Sequence, residues 1–138
     1  MAILDGKLTA QTIKDQIQSD LKPYLDRGCR RPHLVAILVG DDGASRTYVD
    51  SKERNAKALG FESTVVRLPA STSEQELIDC VQSFNQNASV DGIIVQSPLP
   101  KHINENTITQ TILPNKDVDG FHDINMGKLA KGESGFIS

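Results

Sequence analysis

A chain of 138 residues, 38% hydrophobic and 24% charged, is long enough for one domain with an ordinary core and excludes a disordered polypeptide. A formal net charge of -3 excludes a nucleic-acid surface, because duplex binding rests largely on clustered Lys and Arg that neutralise phosphates. No apolar run approaches the ~20 residues that span a bilayer, which excludes a membrane-embedded helix.

In chain order, Met1-Ala2-Ile3-Leu4-Asp5 lacks the basic segment and long apolar stretch of a signal peptide. Cys29 and Cys80 stand alone, with neither a disulfide framework nor a zinc pattern. A cytoplasmic protein, or one of an organelle matrix, is expected. Ile13, Ile17, Leu21 and Leu25 recur at helical spacing behind Thr9, which reads as the N-cap, and Pro23 is expected to kink or end that helix. Arg27-Gly28-Cys29-Arg30-Arg31 is short and reads as a solvated loop.

His33 to Val39 is a continuous apolar run closed by Gly40-Asp41-Asp42-Gly43, the pattern of a strand buried on both faces. A helix follows from about Ser45 to Leu59, stopped by Gly60 at C′. Phe61 to Leu68 is a second strand. Ser73-Glu74-Gln75-Glu76 has the form of a capping box ahead of the stripe Leu77, Ile78, Val81 and Phe84. Gly92-Ile93-Ile94-Val95 is a third buried strand, ended by Gln96-Ser97-Pro98-Leu99-Pro100. A weaker helix is expected between Asn104 and Leu113, and a short one from Met126 to Lys131 in a loop-rich tail. Helices alternating with buried strands predict an α/β fold: a three-layer sandwich whose mostly parallel sheet is flanked by helices.

Within the second helix, Lys52 is the exception. On a wheel of about 100° per residue from Tyr48, Lys52 falls at about 40°, between Leu59 at about 20° and Ala56 at about 80°. Asp50, Glu53, Arg54 and Lys57 point elsewhere. Partial desolvation there disfavours the ammonium and makes a neutral amine accessible for proton transfer; the competing reading is a stem packed along the core edge with its head in water. Tyr48, one turn earlier, reads by itself as a packing residue. In an open parallel sheet ligands bind beyond the carboxyl ends of the strands, where Gln96 sits and where the Lys52 helix begins. Gln96 can equally mark a strand terminus. The two prolines after it form a stiff wall suited to an aromatic ligand.

Asp117-Val118-Asp119-Gly120-Phe121-His122 offers two carboxylates, a turn glycine and a histidine. Lacking third and fourth ligands at suitable spacing, it predicts no metal site, and a loop carboxylate accepting from a ligand's N–H groups is the better reading. His122 and His102 have no paired nucleophile, and His33 is structural. No Gly-x-Gly-x-x-Gly or Walker A motif occurs, and the two acids of Gly40-Asp41-Asp42-Gly43 would repel a phosphate.

Val39-Gly40-Asp41-Asp42 with Ala44-Ser45, Tyr48-Val49-x-x-Lys52, Val95-Gln96-x-Pro98-Leu99-Pro100 and Lys116 to His122 together resemble the N-terminal catalytic domain of the bifunctional methylenetetrahydrofolate dehydrogenase/methenyltetrahydrofolate cyclohydrolase family. The resemblance covers essentially the whole chain, read as a folate-binding catalytic domain over residues 1–138. It implies oxidation of 5,10-methylenetetrahydrofolate with NADP and hydrolysis of the methenyl product to 10-formyltetrahydrofolate, by a homodimer acting on tetrahydrofolate derivatives. Lys52 would serve the hydrolytic step by proton transfer. Gln96 would hydrogen-bond it, and Tyr48 would pack on the aminobenzoyl group and position the lysine. Asp119 would anchor the pterin, with Val95, Ser97 and Pro98 as pocket wall. Ser97 stands where leucine is usual, Gly43 where proline is common and Asp123 where proline often follows. The family's second, Rossmann-type NAD(P)-binding domain is absent, so the chain reads as a catalytic-domain fragment without dehydrogenase activity of its own. A non-catalytic folate-binding or dimerisation module, or a regulatory α/β domain with a snorkelling Lys52, are the alternatives.

Overall fold

The apolar run His33–Val39 forms the central strand β1, with every residue but Leu34 buried. The computed structural model describes residues 5–137, so what the sequence suggests at residues 1–4 and at Ser138 lies outside the described residues. Around β1 the order is α1 (Gly6–Asp26), β1, α2 (Gly43–Ala58), β2 (Glu62–Leu68), α3 (Glu74–Gln86), β3 (Gly92–Val95), α4 (Glu105–Thr111) and α5 (Asp123–Lys131).

The sheet runs β2-β1-β3 with all strands parallel, His33 opposite Glu62 and Leu34 opposite Gly92. Alternate β1 side chains face opposite ways, as pleating requires. Val35, Ile37 and Val39 pack with Leu77 and Val81 of α3 and Ile108 of α4. Ala36 and Leu38 pack with Val49 of α2. Helices therefore cover both faces, the three-layer α/β arrangement that the alternating elements predict. Parallel pairing also brings the carboxyl ends of β1 and β3 to one edge, where α2 begins.

Several helix ends depart from expectation. Asp5, not Thr9, caps α1, because its carboxylate accepts from the N–H groups of Lys7 and Leu8 at 3.0 and 3.1 Å. Thr9 instead donates its hydroxyl back to the Asp5 carbonyl at 2.9 Å. Pro23 lies inside α1, which continues to Asp26. Leu21 and Leu25, two residues before and after the proline, are half-buried, and the helix runs on with one N–H donor fewer. α2 starts at Gly43 because Asp42 accepts from the Ser45 N–H at 2.7 Å, a bond that holds the Asp42 carboxyl below its ordinary range. α5 starts three residues before Met126, since the His122 ring accepts from the Ile124 N–H at 3.1 Å.

The Ser73 capping box is present with both of its reciprocal bonds. Arg30 does not merely solvate its loop. Its guanidinium grips Asp91 at 2.6 and 2.7 Å, and Asp91 also accepts from the His33 N–H at 2.8 Å, which clamps the loop onto the entries of β1 and β3.

Candidate active site

At the carboxyl edge of the sheet lies a cleft of about 180 Å³ lined by Lys52, Val95, Gln96, Ser97, Thr109, Ile112, Asp117, Asp119 and Phe121. Its side chains arrive from α2, the end of β3, α4 and the loop between α4 and α5. A larger apolar cavity of about 350 Å³, between α1 and the start of the sheet, is lined by residues such as Ile17, Leu21, Tyr24 and Phe61. It carries no comparable set of convergent polar groups, so the smaller cleft is the candidate site.

Lys52 lies on the face of α2 that carries buried Ala56 and Val49, the latter packed on Ala36 and Leu38 of the sheet. The lysine itself is half-buried and donates from Nζ to Gln96 Oε1 at 3.3 Å. Gln96 is fixed at both ends. Its backbone N–H continues the ladder to the Ile37 carbonyl at 2.9 Å, and Nε2 donates to the Ser97 carbonyl at 2.7 Å, which leaves Oε1 turned to the lysine. Gln96 thus ends the strand and also faces the cleft.

The loop bearing Asp119 is stitched to β3. Ile93 N–H donates to the Lys116 carbonyl at 2.8 Å, and Ile93 bridges Asp117 in parallel register. Lys116 is itself buried and donates to the Phe84, Asn85 and Asn87 carbonyls at 2.8–3.0 Å, which satisfies the carbonyl end of α3. Gly120 turns the loop with φ +73, a left-handed value. The two acids have separate duties. Asp117 is 1% exposed and accepts hydrogen bonds within the loop, whereas Asp119 presents its half-buried carboxyl to the cleft. Burial pushes the Asp119 carboxyl above its ordinary range, the Lys52 charge opposes that, and Asp117 adds to it.

Gly92 sets how closely this loop approaches the sheet. A Cβ there would stand 2.7 Å from Val118 Cγ1 and 3.3 Å from Leu34 Cδ1. Gly92→Ala is therefore expected to push Val118, and Asp119 with it, off the sheet at a cost of ~1–2 kcal/mol. Urea unfolding checks this: a lower midpoint at unchanged slope is the expected result.

Of the residues singled out in the sequence, Lys52, Val95, Gln96, Ser97 and Asp119 meet in the cleft. Tyr48 does not border it: its side chain is 64% exposed, so the packing reading of this residue is corrected. Its place one turn before Lys52 puts it on the rim. Pro98 is exposed and also absent from the lining, so the wall beside Gln96 is built by Val95 and Ser97. His102 bonds the Thr72 carbonyl and His33 the Thr64 hydroxyl, each at 2.8 Å and away from the cleft. Cys29 is exposed, and burial raises the Cys80 thiol above its ordinary range. Among the described residues no cluster of His, Cys, Asp or Glu suits a metal ion.

Thr109 and Ile112 are not legible as site residues, and Phe121 lies in the loop singled out by its acids without a role of its own. Ile112 follows Ile108 at helical spacing and so reads as core. Nothing in the local sequence marks Thr109.

Residues 4–119 match the model of the tetrahydrofolate dehydrogenase/cyclohydrolase catalytic domain. The "Bifunctional protein FolD" of Porphyromonas gingivalis is 48% identical over 136 residues, covering 99% of this chain and 46% of that relative. The protein of the same name from Flavobacterium psychrophilum is 49% identical over 137 residues, covering 99% and 47%. Among solved structures, the bifunctional FolD methylenetetrahydrofolate dehydrogenase/cyclohydrolase of Campylobacter jejuni superposes with a TM-score of 0.95 at 40% identity, covering 99% of this chain and 49% of that one. The Trypanosoma brucei methylenetetrahydrofolate dehydrogenase-cyclohydrolase, complexed with NADP cofactor and inhibitor, gives 0.91 at 32% identity, covering 97% and 46%. The chain spans about half the length of the curated relatives it matches.

Proposed function

The chain belongs to the tetrahydrofolate dehydrogenase/cyclohydrolase family, and from that premise we propose that it is the folate-binding catalytic domain of an enzyme that oxidises 5,10-methylenetetrahydrofolate and hydrolyses the methenyl product to 10-formyltetrahydrofolate. The observation that carries this reading is the Lys52–Gln96 contact at 3.3 Å in a cleft that also holds Asp119. Tetrahydrofolate derivatives are the substrates. Asp119 accepts from the N–H groups of the pterin, and Val95, Ser97 and Phe121 line its flanks. Tyr48, on the rim, meets the aminobenzoyl group as that part of folate leaves the cleft.

Hydrolysis passes a proton through the base twice and releases one more to solvent. Water attacks the methenyl carbon, and Lys52 Nζ takes the proton that the water gives up. The same nitrogen then returns a proton to the ring nitrogen whose bond to that carbon breaks, while the hydroxyl on the carbon gives up its remaining proton to solvent and becomes the carbonyl of the formyl group left on the other nitrogen. Gln96 Oε1, held by the bond from Nε2 to the Ser97 carbonyl, orients the lysine between these two transfers.

NADP is the oxidant proposed for the whole enzyme, in keeping with the cofactor named for the Trypanosoma brucei relative. The residues present do not fit it. The candidate phosphate loop carries Asp42, engaged in capping Ser45, and Asp41, paired with Arg46 at 2.9 Å, so it presents acids rather than free N–H groups. The dinucleotide site belongs outside this chain, in a second domain of the Rossmann type. A cytoplasmic homodimer working in one-carbon metabolism, purine biosynthesis included, completes the reading on family grounds. Among the described residues no helix is long and apolar enough to cross a membrane.

Calorimetric titration of the chain with tetrahydrofolate tests the reading. Saturable 1:1 binding that an antifolate analogue displaces is expected. Heat of dilution alone would refute a preformed folate site.

A further inference from the structure

Asp117 lines the cleft, yet both of its oxygens are already engaged within the protein. Oδ1 accepts from the Gly120 N–H at 3.1 Å, and Oδ2 accepts from the His122 N–H at 2.8 Å and from Asn125 Nδ2 at 2.9 Å. Asn125 is 2% exposed, on the first turn of α5, and Nδ2 also donates to the Pro114 carbonyl at 2.9 Å. One amide thus ties the chain entering this loop to the carboxylate that closes it. Asp119 lies inside the closed turn, between Asp117 and Gly120. With its neighbours fixed, the turn presents its carboxyl to the cleft.

We propose that Asp117 and Asn125 are a positioning pair that aims Asp119 at the substrate, acting through that residue rather than touching the ligand. This rests on the folate reading of the cleft and names what holds its pterin anchor in place. Buried donors and acceptors carry large penalties when a partner is removed, so the pair is stiff. It is also electrically coupled to its target. The charged groups that face Asp119 are Lys52 from α2 and Asp117 from its own loop, with opposite effects on its proton. A merely structural knot elsewhere in the fold would leave the proton of Asp119 untouched.

Two readouts on the chain as it stands decide this. The first is the titration of the Asp119 carboxyl carbon by NMR, which needs no ligand. In Asp117→Asn, where a like charge disappears, Asp119 is expected to titrate lower than in the wild type. Should that variant fail to fold, Asn125→Ala leaves both backbone donors to Asp117 in place and carries the same test. Its loosened loop exposes Asp119 and lowers the midpoint. The second readout is tetrahydrofolate affinity. Asn125→Ala is expected to weaken binding roughly ten-fold, the ratio that one hydrogen bond to a charged group carries. Combined with Asp119→Ala, it should add nothing to the loss from Asp119→Ala alone. An unchanged Asp119 midpoint in folded variants, or losses that simply add, would overturn the proposal. If the wild type binds no folate, the functional reading fails, and the carboxyl titration still decides whether the pair governs Asp119.

Discussion

Lys52→Met, made in an enzyme of the relatives' full length that carries this domain, loses methenyl hydrolysis by ~10²–10⁴-fold and keeps measurable oxidation of methylenetetrahydrofolate. The split follows from what each step asks of the protein. Attack by water releases a proton that a nearby base must take, and Lys52 is the amine in the cleft, 3.3 Å from Gln96 Oε1. Departure of a hydride from the methylene carbon releases no proton to the protein at that moment. Methionine keeps an unbranched stem on the face of α2 that also carries buried Val49 and Ala56, so the variant tests the amine rather than the stem. Stopped assays of each half-reaction separate the outcomes. Hydrolysis at the wild-type rate would remove Lys52 from the chemistry.

Asp119→Ala weakens tetrahydrofolate binding by roughly 100-fold, about two hydrogen bonds to a charged acceptor. Folding should change little, since the carboxyl faces the cleft and the loop is closed by Asp117 instead. A pH dependence accompanies this loss. Burial holds the Asp119 carboxyl above the ordinary 3.8, so its acceptor form is complete only above that raised value, and affinity is expected to rise as pH climbs through it. The effect on folding has the opposite sign. The folded state keeps the proton longer than the unfolded one, so the contribution of Asp119 to stability is full below 3.8 and is lost as pH rises through the folded value. Affinity measured from acid to neutral pH, with Asp119→Ala as the flat reference, checks the assignment.

The apolar runs at His33–Val39 and Gly92–Val95, and the helical stripes between strands, are legible because burial on both faces leaves little choice of residue. Gly60 at the end of α2 and the Ser73 capping box are legible for a different reason, each being a local solution to unpaired backbone groups. Helix starts were less so. Thr9 and Asp5 both suit a cap, and the three residues between them do not say which one the chain uses; it is Asp5. In the site, Lys52 is visible on a helical wheel because it breaks an apolar arc, and Gln96 because it ends an apolar strand. Thr109 and Phe121 are invisible by that means, since only the packing of α4 and the turn of the Asp117 loop bring them to the cleft. Tyr48 and Pro98 show the converse. They flank the motif residues in sequence, yet helix and strand geometry turn them outward, to 64% exposure in the case of Tyr48. Asp117 is engaged partly by local backbone donors, Gly120 and His122, and partly by Asn125 from the following helix, which the loop sequence does not show.

A crystal structure of the chain with a bound 5,10-methenyltetrahydrofolate analogue measures the central claim most directly. The expected complex has the pterin N–H groups on the Asp119 carboxylate and the one-carbon unit within hydrogen-bonding distance of Lys52 Nζ. A folate seated instead in the apolar cavity beside α1, among Ile17, Leu21, Tyr24 and Phe61, or one lying in the cleft with Lys52 turned away, would contradict it.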